Sequence, residues 1–321
     1  MRRVLAVAAA AIAMLGASAS ADTPAKTVLR FATPSITAQN WPHFIAESRG
    51  LFAREGLDVQ LIAIEPVAIV PALIGGSTDI ALAPATQLIL GIDKGAGVVA
   101  TGSGADRMPY HLMVPGSVKT VRDLAGKHVA AVSPIELYTL VIKQILRKGG
   151  LDPDKDVELV YGGGQNQRFA AVAGGAVAAG LFAAPQDTKL AENGFHALAY
   201  TPDYYRYLQL SITAVRRDWA VHNAAALRGY LKAMAEASRW LDDPANKAAA
   251  IQILMAATNV SAYEAGDAYN EYVVKARDFP TNYCVMKPGM QADLAMMHET
   301  GQTKSTAADV DKYIDAEWCP H

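Results

Sequence analysis

Apolar and polar positions along the chain switch between a strand period and a helix period, and they do so twice in the same order. Residues 28–33 read as a strand, followed by a polar loop, 34–40, and a short helical stretch, 42–49, that stops at Gly50. Gly56-Leu57-Asp58 leads into a second strand, 59–64. A helix then runs through Gly75-Gly76 and Asp79 into a third strand, 80–83, which ends at Pro84. Steps of this size predict βαβ units on a mainly parallel sheet. Further on the order returns: strand 127–132, helix 135–148, Gly150-Leu151-Asp152, strand 157–161, a helix into Gly174-Gly175, then strand 179–182 before Pro185. Two similar α/β lobes are expected. Ligands on such sheets sit beyond the carboxyl ends of the strands, so facing lobes define a cleft.

The strand-like segments 110–114 and 209–215 are expected as two side-by-side crossings that form a hinge. They divide the chain into lobe one, 22–114 and 209–321, and lobe two, 115–208. From residue 217 the apolar spacing is helical, over 217–241, 244–258, 261–279 and 290–300. Asp242-Asp243-Pro244 and Asn259-Val260-Ser261 serve as breaks and caps. These helices are expected to cover lobe one.

The first residues change the picture. Met1-Arg2-Arg3, an apolar run to Gly16 and Ala-Ser-Ala-Ser-Ala up to Ala21 form a secretory signal pattern, residues 1–21, with cleavage expected after Ala21. The run is shorter than the roughly 20 residues a membrane span needs. Asp22 follows and no cysteine lies nearby for lipid attachment, so a freely diffusing periplasmic monomer is expected. Without Arg2 and Arg3 the chain carries 27 basic against 31 acidic side chains. That balance suits neither nucleic acid nor a membrane surface. Cys284 and Cys319 are the only cysteines. An oxidising compartment favours a disulfide over a metal site for such a pair, and the Cα separation that decides it is a property of the fold. The seven histidines show no metal spacing and are expected at the surface. No H-E-x-x-H or G-x-S-x-G occurs, so no catalytic set, metal or cofactor is expected.

Trp41 through Val59, with its Gly50-Leu51-Phe52 and Glu55-Gly56-Leu57-Asp58, resembles a signature of periplasmic solute-binding proteins for nitrate, taurine and aliphatic sulfonates, and of the related thiamine-pyrimidine-precursor (NMT1/THI5-like) binders. Gly75-Gly76-Ser77-Thr78-Asp79-Ile80-Ala81, Asp123-Leu124-Ala125-Gly126-Lys127-His128-Val129 and Trp240-Leu241-Asp242-Asp243-Pro244 resemble further phrases of that family, in its order. The resemblance implies an α/β type II periplasmic binding fold: two α/β lobes joined by a two-segment hinge, a small-molecule ligand in the cleft, and an inner-membrane ABC permease as partner. A sulfonate, taurine or another organic anion is the first expectation for the ligand, with a pyrimidine or aromatic acid second. A periplasmic enzyme or a sensor on the same fold is the alternative. One departure stands out. Lobe two has Ala176-Val177-Ala178-Ala179 where the family commonly has an acid after the glycines, which suggests a cleft open to a bulkier solute.

Candidate ligand contacts lie where strands end and helices begin. In lobe one they are Ser35, Thr37, Asn40 and Trp41 in the first loop, then Pro84, Thr86 and Ser103. Hydroxyls, an amide and free N–H groups at a helix start suit a polar oxygen, and an indole suits an apolar body. Asn40 as an ordinary cap and Trp41 as core are the plain alternatives. Arg107 is either a partner for a ligand anion or simply solvated. In lobe two, Ser133 is expected as the cap of a helix with Pro134 in its first turn. Gly163, Gln165 and Asn166 follow a glycine run that lacks the Lys-Ser/Thr of a phosphate loop, and Pro185 closes the set.

Overall fold

The computed structural model describes residues 26–320, so the expected signal segment lies outside the described residues. The first sheet is built from β1 (Thr27–Thr33), β2 (Leu57–Ala63), β3 (Ile80–Pro84), β4 (Val98–Ser103) and one later strand. Between them run the helices α1 (Trp41–Ser48), α2 (Leu51–Arg54), α3 (Pro66–Ile74) and α4 (Ala85–Asp93). The second sheet uses β5 (His111–Pro115), β6 (His128–Ala131), β7 (Glu158–Tyr161), β8 (Gly180–Phe182) and β9 (Phe195–Tyr200), with α5 (Leu137–Lys148), α6 (Gln165–Ala173) and α7 (Gln186–Glu192). After α8 (Thr201–Tyr204) the chain returns through β10 (Ser211–Arg216) to the first sheet.

The first sheet has the order β2-β1-β3-β10-β4, with β10 antiparallel to both neighbours. The second is β7-β6-β8-β5-β9. Its β6–β7 pair joins the β8-β5-β9 triplet through Ala130 N–H to Ala179 O and Ala178 N–H to His128 O, both 2.8 Å. The two orders superimpose strand for strand, with β5 in the antiparallel place of β10. This is the duplicated α/β architecture in two lobes. It corrects one expectation, since β5 starts at His111 and pairs with β8 and β9, and so belongs to the second sheet. The chain crosses between the sheets at 104–110 and 201–210, just before each antiparallel strand.

The helical C-terminal part follows its periodicity closely, with breaks set by caps. It comprises α9 (Arg217–His222), α10 (Ala224–Asp242), α11 (Lys247–Thr258), α12 (Ala262–Ala268), a π-helical stretch Tyr269–Lys275, and α13 (Lys287–Glu299). Along α10 the buried stripe Leu227, Tyr230, Leu231, Met234 and Leu241 keeps helical spacing and packs lobe one's core against α1. The Tyr230 ring stacks on Phe52 at 5.6 Å. Ser261 caps α12 by accepting from Glu264 N–H. Cys284 and Cys319 form a disulfide with Cα atoms 4.9 Å apart, tying the tail around Trp318 to the segment before α13. Among the described residues, no helix is long and apolar enough to cross a membrane.

Candidate functional site

The carboxyl ends of β1, β3 and β4 face those of β6, β7 and β8, and the two crossings pass along the line where they meet. Tyr110, the last residue of the first crossing, is buried there, and its hydroxyl accepts a hydrogen bond from Gln39 Nε2 at 3.0 Å. Its ring meets Tyr138 of α5 edge-on at 6.4 Å. Burial pushes the Tyr138 phenol up to about 12, against the pull of the nearby Arg168 guanidinium, and it raises the Tyr110 phenol as well. Both stay neutral over the physiological range. The Tyr138 hydroxyl donates to Leu181 O in β8.

Walls from both lobes close on these tyrosines. From lobe one, Gln87 in the first turn of α4 donates Nε2 to Glu136 Oε1 at 2.5 Å. Beside it Thr86 is buried, and its Oγ1 has no hydrogen-bond partner among the described residues. From lobe two, the Arg168 guanidinium lies over the Tyr138 ring at 4.8 Å and donates Nη1 to Gly163 O at 2.7 Å. Its Nε is buried without a partner. Burial raises the Glu136 carboxyl above the usual carboxylate range, opposed by the Gln87 bond and by Arg168. An unsatisfied buried donor costs about 1–3 kcal/mol, so Thr86 and Arg168 mark where a ligand oxygen would be rewarded.

At the rim, Lys189 of α7 pairs with Glu264 of α12, and Thr188 bonds Asp267, again joining the lobes. A cavity of about 200 Å³ opens beside these contacts, with Pro185 and Tyr263 on its two sides. The lobes are closed on one another.

The expected contacts divide into three groups. Pro84 ends β3, Thr86 is buried in the first turn of α4, and Gly163 O accepts from Arg168. Gln186 binds Gln165 and Asn166 together, accepting from Gln165 Nε2 at 2.7 Å and donating to Asn166 Oδ1 at 3.1 Å, next to Pro185. A second group serves the loop itself. Thr37 caps a short turn, Asn40 Oδ1 accepts from Thr37 N–H, Asn40 Nδ2 donates to Thr33 Oγ1, and Ser35 O accepts from that same hydroxyl. Asn40 stands at the cap position of α1 without a side-chain cap bond there; its side chain closes the turn before that helix instead.

The third group is corrected. Trp41 is fully buried and donates Nε1 to Ala250 O of α11 at 3.0 Å, which leaves it no polar atom for a ligand. Ser103 is buried, and its hydroxyl accepts from Gln209 Nε2. Ser133 does not cap α5, because that helix starts at Leu137 with Glu136 at its cap position. Arg107 is held by Asp106 and lies over Tyr207 in the other crossing. His43 is buried against Phe31, not at the surface. Asp79 stands at the start of β3, the end away from the cleft, where it takes two bonds from Arg30 and one from its N–H. The missing acid at Ala176–Ala179 therefore does not shape the cleft.

Sequence reasoning passed over Gln39, Gln87, Tyr110, Glu136, Tyr138 and Arg168. A signal was present for three of them: Gln87, Glu136 and Arg168 are polar or charged residues at or within a turn of a helix start that follows a strand end. The tyrosines gave none, since an aromatic in an apolar run looks like core.

Comparison with solved structures supports the fold. The aliphatic sulphonate binding protein SsuA from Escherichia coli matches with a TM-score of 0.69 at 19% identity, over 90% of this chain and 92% of that one. The alkanesulfonate-binding protein SsuA from Xanthomonas axonopodis pv. citri, bound to MOPS, gives 0.71 at 17% identity, over 89% and 98%. The periplasmic nitrate-binding protein NrtA from Synechocystis gives 0.73 at 18% identity, over 91% and 87%. A comparison with curated protein sequences returns no match. The family described as NMT1/THI5 like matches residues 37–246, and the chain belongs to that family.

Proposed function

We propose that this chain is the soluble periplasmic solute-binding component of an ABC importer, and that it holds a small organic anion between its lobes. A sulfonate such as taurine is the first candidate. The observation that supports the reading is a pair of buried, unpartnered polar groups, Thr86 Oγ1 in lobe one and Arg168 Nε in lobe two, each near the start of a helix that follows a strand end. Thr86 sits in the first turn of α4 and Arg168 one turn into α6, close to helix starts where N–H groups and the helix dipole favour negative charge. Family membership and the names of the structural relatives point the same way. The role is capture and delivery to an inner-membrane permease, without chemistry on the solute. The tyrosine pair Tyr110 and Tyr138 favours, as a second reading, an acid with an aromatic body.

A thermal-unfolding screen over sulfonates, carboxylates, amino acids and pyrimidines tests this. A solute at about 100 times its Kd adds about 2.7 kcal/mol. Stabilisation by an organic anion is expected. No shift with any solute would overturn the reading, and turnover of a stabilising solute would replace it with an enzyme.

A further inference from the structure

Among the described residues, one ion pair joins the two lobes, Lys189 of α7 with Glu264 of α12. Other bridges across the gap, such as Gln87 to Glu136 and Gln144 to Glu299, have a neutral partner. Glu264 is fixed in place from within lobe one. Its Oε2 accepts from Ser261 N–H at 2.7 Å, and its own N–H donates to Ser261 Oγ at 3.2 Å, the reciprocal cap of α12. Oε1 is left for Lys189. Pairing therefore orders one long side chain instead of two, which removes part of the entropy cost that makes exposed ion pairs weak. One turn on, Asp267 takes the hydroxyl of Thr188, the residue before Lys189. Both contacts thus run between one turn of α7 and one face of α12. The Lys189 ammonium, with the Ser261 bonds, holds the Glu264 carboxyl down to about 2, so it stays charged across the physiological range. Thr188, Lys189, Glu264 and Asp267 also line the cavity of about 200 Å³, so water and salt reach the pair.

We propose that Lys189 and Glu264, with Thr188 and Asp267 beside them, form a latch that sets the balance between closed and open lobes, and that salt loosens it. The latch acts on the lobes directly. It holds whichever solute the cleft takes, and it is measurable without one. Mild acid leaves it intact because Glu264 keeps its charge. High ionic strength weakens it, as the screening length falls from about 10 Å at 0.1 M to about 3 Å at 1 M.

Single-molecule fluorescence transfer tests it, with dyes on cysteines placed at two exposed positions, Ala176 of lobe two and Ala248 of lobe one. Glu264→Gln is the informative variant: glutamine serves the same cap, so α12 keeps its start and only the charge is lost. Lys189→Met removes the other charge from the opposite lobe. Each is expected to raise the ratio of open to closed molecules about two- to fivefold at low salt, the scale of one exposed ion pair. The double variant should gain no more than either single one, because both substitutions break the same contact. In the natural chain the ratio should rise between about 0.05 and 1 M salt, and in the variants that rise should be lost. An unchanged ratio in both single variants overturns the proposal, as does a salt dependence that survives in Glu264→Gln. Additive effects of the two substitutions overturn the pairing.

Discussion

His43 gives the fold a specific acid weakness. The ring lies in α1, stacked on Phe31 at 4.8 Å and tilted against Phe52, with Nδ1 buried and unpartnered. Burial pushes its pKa from 6.5 down to about 3. The folded state therefore holds the imidazole neutral, while the unfolded chain takes up a proton below about pH 6.5. A depressed folded value means that stability is full above 6.5 and falls as the pH drops towards 3. The linkage relation gives a loss of about 2 kcal/mol at pH 5 and about 3 kcal/mol at pH 4. Asp106 works in the opposite direction. Burial raises its carboxyl to about 6, so its contribution is present below the ordinary carboxylate value and is lost as the pH rises through 6. The assay is therefore a difference: denaturant unfolding of the natural chain and of His43→Phe at pH 7, 5 and 4. The variant keeps a ring on Phe31 and carries no proton, so its packing cost is the same at every pH. The gap between the two chains should change by about 2 kcal/mol between pH 7 and pH 5, in favour of the variant. A gap that stays constant with pH would refute the reasoning.

Two other perturbations follow from the structure. Thr86→Val removes a buried hydroxyl that has no protein partner; the ligand-free protein should be as stable or slightly more so, while solute affinity falls about tenfold, as for one lost hydrogen bond, read by calorimetry. Breaking the Cys284–Cys319 bridge, by Cys284→Ser with Cys319→Ser, should lower unfolding stability by about 2–4 kcal/mol, the loop-closure value for a separation of 35 residues, read by denaturant unfolding.

The architecture was legible because the same backbone demands recur. Gly56 and Gly150, which open the two Gly-Leu-Asp triplets, both hold φ in the left-handed region, at 72° and 85°, so glycine is required in the same place of each lobe. The alternation of strand and helix periods carried the succession of elements and the mainly parallel sheet. The lobe boundary was less legible. Strand-like residues at 110–114 show that a strand exists and not which sheet it joins, and long-range pairing with β8 and β9 decides that. Side-chain direction was the main loss. Trp41 and His43 follow the loop expected to touch a ligand, yet α1 turns both into the core, where α11 supplies the indole's acceptor. Helix packing sets that rotation, and nothing local encodes it. Arg168 was hidden for the converse reason: an arginine one turn into a helix reads as solvated until the Tyr138 ring packs under it.

The central claim is that a solute sits between the lobes against Arg168 and Thr86. Calorimetric titration of the natural chain and of Arg168→Met, with the most stabilising solute from the unfolding screen, tests it most directly. The account predicts one site per chain and a loss of about 1.5–3 kcal/mol in the variant, roughly 10- to 150-fold, as for a hydrogen bond to a charged group. An affinity unchanged by Arg168→Met would contradict it.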